Sequence, residues 1–483
     1  MFKTNWVLAV WLGILVGGSA VAGAAEAPTM SDLARTIQAL KTRIRDQERR
    51  IAELEDTQSG QARSEQVRKL VDEALGEVGP SDFRLYWDKG MRAKTGDGRL
   101  SMKFGGRFYY DWTWVDGDPM EDTALFANIM DGSEVRTARL YWQGEWNKKL
   151  AFKWQVDFDE NDTEVKDLYV ELKKLPVVGN LRMGHFKEPF GLEELTSSKY
   201  VTFLERSLPV DEFAPSRNSG FMIHNHALDK RMTWAAGIFA ATGTMDDDGD
   251  ALGQKGHRSD GNYTFTTRLT GLPMYQDNGR QLLHLGAAYS YRSRDDGFRT
   301  DHDEHPEAHI VPDLIDTPNF GDIDGWHLLG GEVALILGQL HVSGEYMASM
   351  PRLGDHDVVV PAGADDDPCF DGWYVQVGYF LTGEVRNYKT SSGTFDRTRP
   401  LKNWDEGGPG AWEVALRYSN TDFNSGGIVG GREENYTVGL NWYLNENVRL
   451  MWNYVHADVE DVLGNAGVDE NIDIFLMRFQ VDF

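Results

Sequence analysis

Charged side chains recur on one parity of several stretches whose other parity is large and apolar. Arg107 alternates with Phe104, Phe108, Tyr110 and Trp112, Arg139 with Ala138 and Leu140, and Lys153 with Phe152 and Trp154. Three more bases, Lys199, Arg206 and Arg217, fall in the stretch 188–217 beside six acids that include Glu194. Guanidinium and ammonium groups on a wet surface can hold an anion that has shed part of its hydration, provided several converge. Covalent chemistry is poorly provided for. G-x-S-x-G and H-E-x-x-H are absent, and the single Cys369 excludes C-x-x-C, so no enzyme is expected and no cofactor. Met245-Asp-Asp-Asp-Gly-Asp250 and the histidines at 302, 305 and 309 lack a complete ligand spacing, so no metal site is assigned.

The elements that must position these charges are strands. From Leu100 onward the period of apolarity is two, and the final residues show it most plainly: Phe475, Met477, Phe479, Val481 and Phe483 alternate with Leu476, Arg478, Gln480 and Asp482. A strand ending on the last residue, apolar on one face and polar on the other, fits an outer-membrane β-barrel with lipid outside and water inside. Sixteen such strands are read between residues 100 and 483, joined alternately by short turns (147–149, 229–231, 338, 445–447) and long loops. The connection 384–409 is long where a short turn is expected. Parity turns Arg107, Arg139, Lys153 and Asp167 inward. The run 295–324 holds ten acids against one base, Arg299, and is expected to be solvated surface.

No apolar run of the length of a helical span follows the N-terminus. Residues 1–25 have the charged, apolar and A-x-A order of a signal peptide, pointing to export. Residues 26–79 carry Ile37, Ile44 and Ile51 at a with Leu33, Leu40, Gln47 and Leu54 at d, an α-helical coiled coil; residues 80–99 read as linker. The net charge of −27 argues against a nucleic-acid partner.

The stretch Gly184-His-Phe-Lys-Glu-Pro-Phe-Gly-Leu-Glu-Glu-Leu-Thr-Ser-Ser-Lys-Tyr-Val-Thr-Phe-Leu-Glu-Arg-Ser-Leu208 resembles the O and P type phosphate-selective porins of Gram-negative outer membranes. Gly105-Gly-Arg-Phe108, Gly383-Glu384 with Gly393-Thr-Phe395, and Leu440-Asn-Trp-Tyr-Leu444 support the likeness. The resemblance implies a trimeric porin in the outer membrane, surrounded by lipid and lipopolysaccharide, that passes small inorganic anions by diffusion. It also implies that the loop 188–217 folds into the lumen as a constriction. Lys153, Asp167 and Lys199 match lumen positions of that family. Two positions depart from it. Glu194 stands where phosphate-specific members resemble one another in a Lys, and an unpaired carboxylate there would oppose anions. Arg136-Thr137 replaces a pair of Arg, and parity turns Thr137 inward and Arg136 outward. A different reading makes the barrel an anchor and the coiled coil a tether from outer membrane to cell wall.

Overall fold

The computed structural model describes residues 83–88, 90–116, 130–158, 163–240, 263–293, 302–317, 323–353 and 367–483. The expected signal peptide and coiled coil lie outside the described residues. Within the expected linker, β1 (Phe83–Trp87) and β2 (Met91–Thr95) form a hairpin. Then come β3 (Leu100–Asp116), β4 (Gly132–Trp146), β5 (Leu150–Asp157), β6 (Glu164–Leu175), β7 (Gly179–Lys187) and β8 (Arg217–Ala227). They are followed by β9 (Met232–Ala240), β10 (Tyr263–Gln276) and β11 (Gln281–Ser293). A short loop pair, β12 (Asp303–Glu304) and β13 (Ile315–Asp316), precedes β14 (Ile323–Leu337), β15 (Leu340–Leu353) and β16 (Phe370–Phe380). After a second short pair, β17 (Tyr388–Lys389) and β18 (Thr394–Phe395), the chain ends in β19 (Ala411–Asp422), β20 (Arg432–Tyr443), β21 (Val448–Glu460) and β22 (Glu470–Asp482).

The sixteen long strands pair antiparallel in sequence, and β22 closes the ring on β3, with Arg478 opposite Asp111 and Asp482 opposite Arg107. Closure satisfies every strand edge inside the sheet, which a bilayer requires. Alternation explains the faces: Phe108, Leu140, Trp154, Leu168, Ile238, Leu285, Val438 and Phe475 are exposed outward, while Tyr109, Thr266, Ser290, Gln376 and Asn441 are buried inward. The Gly105-Gly106 pair has its own reason. The Gly106 N–H donates to the Phe483 carbonyl at 3.1 Å and its carbonyl accepts from the Phe483 N–H at 3.0 Å. A Cβ on Gly105 would stand 2.3 Å from the Phe483 oxygen, so only glycine lets the last residue seat at the seam.

Part of the expected aqueous interior is filled. The loop between β7 and β8, with the short helices α1 (Leu192–Leu195) and α2 (Leu208–Phe213), lies inside the barrel. So do residues 302–317, and Phe190, Leu204, Val210, Phe213, Val311 and Leu314 join Val455 and Ile474 of the wall, with Phe423 just past β19, in one apolar cluster. The acidic run is correspondingly not all solvated surface. Glu307 is buried, held by the Arg417 guanidinium (Nε, 3.1 Å) and the Thr437 hydroxyl (2.8 Å). The anomalous connection after β16 also turns inward: the Phe395 N–H donates to Thr196 Oγ1 at 3.2 Å, and Arg386 reaches the Tyr200 carbonyl.

Candidate functional site

The constriction loop is captured by its backbone. A row of donors on β19–β22 takes five of the carbonyls between residues 199 and 205. Gln480 reaches Lys199 O (3.2 Å), Arg449 reaches Val201 O (2.8 Å), and Asn441 reaches Thr202 O (2.8 Å). Arg478 reaches Leu204 O (2.5 Å) and Arg417 reaches Glu205 O (3.1 Å). Across from them, the Glu345 carboxylate on β15 accepts the N–H groups of Leu192 (2.6 Å) and Glu193 (2.7 Å), satisfying donors that begin α1. Charge-assisted bonds of this kind are roughly twice as strong as neutral ones, and here they replace the loop's lost hydration.

Pinned to one wall, the loop leaves a cavity of about 800 Å³ along β3–β9. Seven of the eight expected residues line it: Arg107, Arg139, Lys153, Asp167, Glu194, Arg206 and Arg217. Asp167 joins two of the cations, taking Lys153 Nζ at 2.5 Å on one oxygen and Arg217 Nε at 3.0 Å on the other. Arg139 is paired with Asp157. Arg107, 8% exposed, donates to the Ser198 hydroxyl and has no carboxylate partner among the described residues. Lys199 is set apart from the lining, with Nζ 3.5 Å from Asp482 and 5.6 and 5.2 Å from the Tyr141 and Tyr200 ring centres.

The two departures from the family pattern resolve differently from what parity and charge alone suggest. Glu194 is 4% exposed and clamped between Lys187 Nζ (2.5 Å) and Arg206 Nε (2.8 Å), so its charge is met within the protein. Arg136, expected outward, lines the cavity and bonds Glu205 at 3.1 Å. The cause is a β-bulge. Tyr109 pairs with Thr137 and Asp111 with Glu134, leaving two residues of β4 against Tyr110 alone, so side-chain parity breaks at Arg136.

Further cations line the cavity. Arg182 and Arg268 follow the inward parity of β7 and β10, and that signal was in the sequence; Arg268 is paired with Glu332 at 2.7 Å. Lys389, from the inward-folded connection, had no periodicity to announce it. In all, thirteen Lys or Arg and six Asp or Glu line the cavity, and five of the thirteen are also paired with carboxylates behind the lining: Arg139 with Asp157, Lys166 with Glu164, Lys173 with Glu145, Arg268 with Glu332 and Arg478 with Asp111.

The sequence matches the family profile of phosphate-selective porins O and P over residues 102–483. It is 27% identical to Porin O of Pseudomonas aeruginosa over 438 residues, covering 83% of this chain and 93% of that protein. It is also 29% identical to an uncharacterized protein of Caulobacter vibrioides, covering 83% of this chain and 77% of the other. Among solved structures, a loop-deletion form of OmpT, an outer-membrane protein of Vibrio cholerae, superposes with TM-score 0.47 at 11% identity over 80% of this chain and 100% of that one. Salmonella typhi OmpF, solved in complex with daunomycin, gives 0.45 at 12% identity over 83% of this chain and 100% of its own.

Proposed function

This chain belongs to the phosphate-selective porin O and P family, and from that premise we propose that its pore prefers anions, phosphate or a related small oxyanion among them. The protein is an outer-membrane porin through which small hydrophilic solutes diffuse passively. The observation that carries the anion preference is the lining itself, with thirteen bases to six acids around the cavity. A low-dielectric wall in which one sign predominates focuses its field on the passing ion and raises the local concentration of counter-ions. Glu194, neutralised by Lys187 and Arg206, does not cancel that field. Membrane lipid and lipopolysaccharide around the barrel and a homotrimeric state complete the reading.

Single-channel reversal potential across a KCl gradient tests it. The expected result is a potential on the chloride side, with millimolar phosphate reducing the chloride current. A potential on the potassium side sinks the anion reading, and chloride preference without phosphate block removes the phosphate part.

The Lys199 ammonium, outside the strands, supplies a pH dependence. Burial, with Arg107 and Arg397 nearby and only Asp482 opposing, pulls it down to about 7. It is therefore charged in acid and neutral in base; acting from behind the lining, through the field it shares with Arg107, it lowers the anion preference modestly as pH rises from 6 to 8. The stability term has the opposite sense: between about 7 and the unfolded value the folded state binds fewer protons, so this group's contribution rises with pH. Lys199→Gln is expected to flatten the step in reversal potential; a step that persists assigns it elsewhere.

A further inference from the structure

The histidines at 302, 305 and 309 enter three different environments. His302 is sealed among Phe213, Trp326, Phe370 and Phe423 and bonded to Glu212. His309 faces Glu134 at 2.9 Å. His305 meets carboxylates from two separate segments, Glu304 beside it in the inward-folded loop and Asp211 on α2 of the constriction loop. Its Nε2 is 3.7 Å from Asp211 Oδ2 and its Nδ1 is 3.6 Å from Glu304 Oε1; Asp313 Oδ1 stands 4.0 Å from Nδ1. These separations are too long for hydrogen bonds. The Nε2 atom is itself shut off from solvent, and the described residues offer it no hydrogen-bond partner.

We propose that Asp211, Glu304 and His305 form a site for a divalent transition-metal ion, best matched by Zn²⁺, that ties the inward-folded loop to the constriction loop. One donor atom from each residue lies within 4.8 Å of the other two. Ligand atoms of a filled tetrahedral site stand roughly 3.4 Å apart, so occupancy draws the three together by about an ångström or a little more. An imidazole with carboxylates suits zinc better than the all-oxygen cages of calcium or magnesium. Two carboxylates and a neutral imidazole also balance the ion's charge. Glu304 Oε1 also accepts the His305 backbone N–H at 3.1 Å, which holds that carboxylate beside the ring. Asp211 lines the cavity, so a bound dication replaces local negative charge by a balanced site and favours anion passage.

The full-length protein, stripped with a chelator and titrated with Zn²⁺ by calorimetry, provides the test. One ion per chain is expected at this site, with affinity reduced at least roughly tenfold in His305→Ala and in the isosteric Asp211→Asn. His456→Ala, where the ring lies beside Asp458 and Asp473 elsewhere, is expected to leave it intact. In bilayers, Zn²⁺ is expected to raise chloride conductance in the natural protein and not in His305→Ala. Equal Zn²⁺ affinity in the natural protein, His305→Ala and Asp211→Asn overturns the site, and so does equal affinity for Ca²⁺. The calorimetric arm does not depend on what the pore conducts, so its failure is separate from failure of the anion reading.

Discussion

Arg478→Ala is expected to lower the thermal stability of the barrel and raise its single-channel conductance in the same variant. Arg478 is 2% exposed and meets Asp111 through two bonds (2.7 and 2.6 Å), the Leu204 carbonyl (2.5 Å) and Glu205 (2.5 Å). Asp111 lies directly opposite it across the seam where β22 closes on β3. Truncation leaves Asp111 buried without its guanidinium and Glu205 with Arg136 as its remaining arginine. Stranding one member of a buried ion pair costs about 3–5 kcal/mol, far more than loss of a single neutral hydrogen bond at about 1 kcal/mol. Gln480→Ala is the contrast, because it removes bonds to Lys199 O and Arg449 without stranding a carboxylate. Circular dichroism melting in detergent reads the seam, and conductance reads the loop. A lowered melting temperature with unchanged conductance shows that Arg417, Asn441 and Arg449 hold the loop without Arg478.

The strands were legible because lipid and water impose opposite demands on alternate residues. Phe475 and Phe483 outward with Arg478 and Asp482 inward is the pattern read directly from the last residues. Inward parity likewise placed Arg107, Arg139, Lys153 and Asp167 on the cavity wall. Two kinds of information were hidden. The first is local geometry: a bulge costs a pair of ladder bonds and leaves no periodic mark, so strict alternation turns Arg136 outward where the strand turns it inward. The second is the company that loop residues keep. Glu194 reads as a barrier in isolation, and Lys187 and Arg206, seven residues before and twelve after it, fold back to neutralise it. Residues 302–317 read as solvated acid because acids dominate, yet Val311, Leu314 and Ile315 bring them into the interior. Burying Glu307 becomes affordable only once Arg417 is beside it, and that contact spans 110 positions of the chain.

Arg107→Glu is expected to produce the largest change in ion preference of any single wall substitution. Arg139 faces Asp157, Lys153 and Arg217 share Asp167, and Arg206 faces Glu194, so each has charge to compensate. The partner of Arg107 is a hydroxyl, and one of its guanidinium nitrogens has no hydrogen-bond partner among the described residues. Its positive charge is thus presented to the cavity nearly whole. At 4 Å in a water-like dielectric, one unit charge is worth about 1 kcal/mol, and reversal changes two units. About 2 kcal/mol corresponds to roughly a thirtyfold change for chloride alone, and because potassium shifts in the opposite sense the chloride-to-potassium permeability ratio changes by more than that. Arg107→Gln should give about half that shift on the free-energy scale. Arg99→Glu, at an exposed position beside Asp97 and away from the cavity, should give none. Reversal potentials of the three variants in one KCl gradient decide the matter. A shift for Arg99→Glu comparable to that for Arg107→Glu shows that the chain's overall charge sets selectivity. Shifts graded as Glu, then Gln, then none place it at the narrow wall beside Ser198.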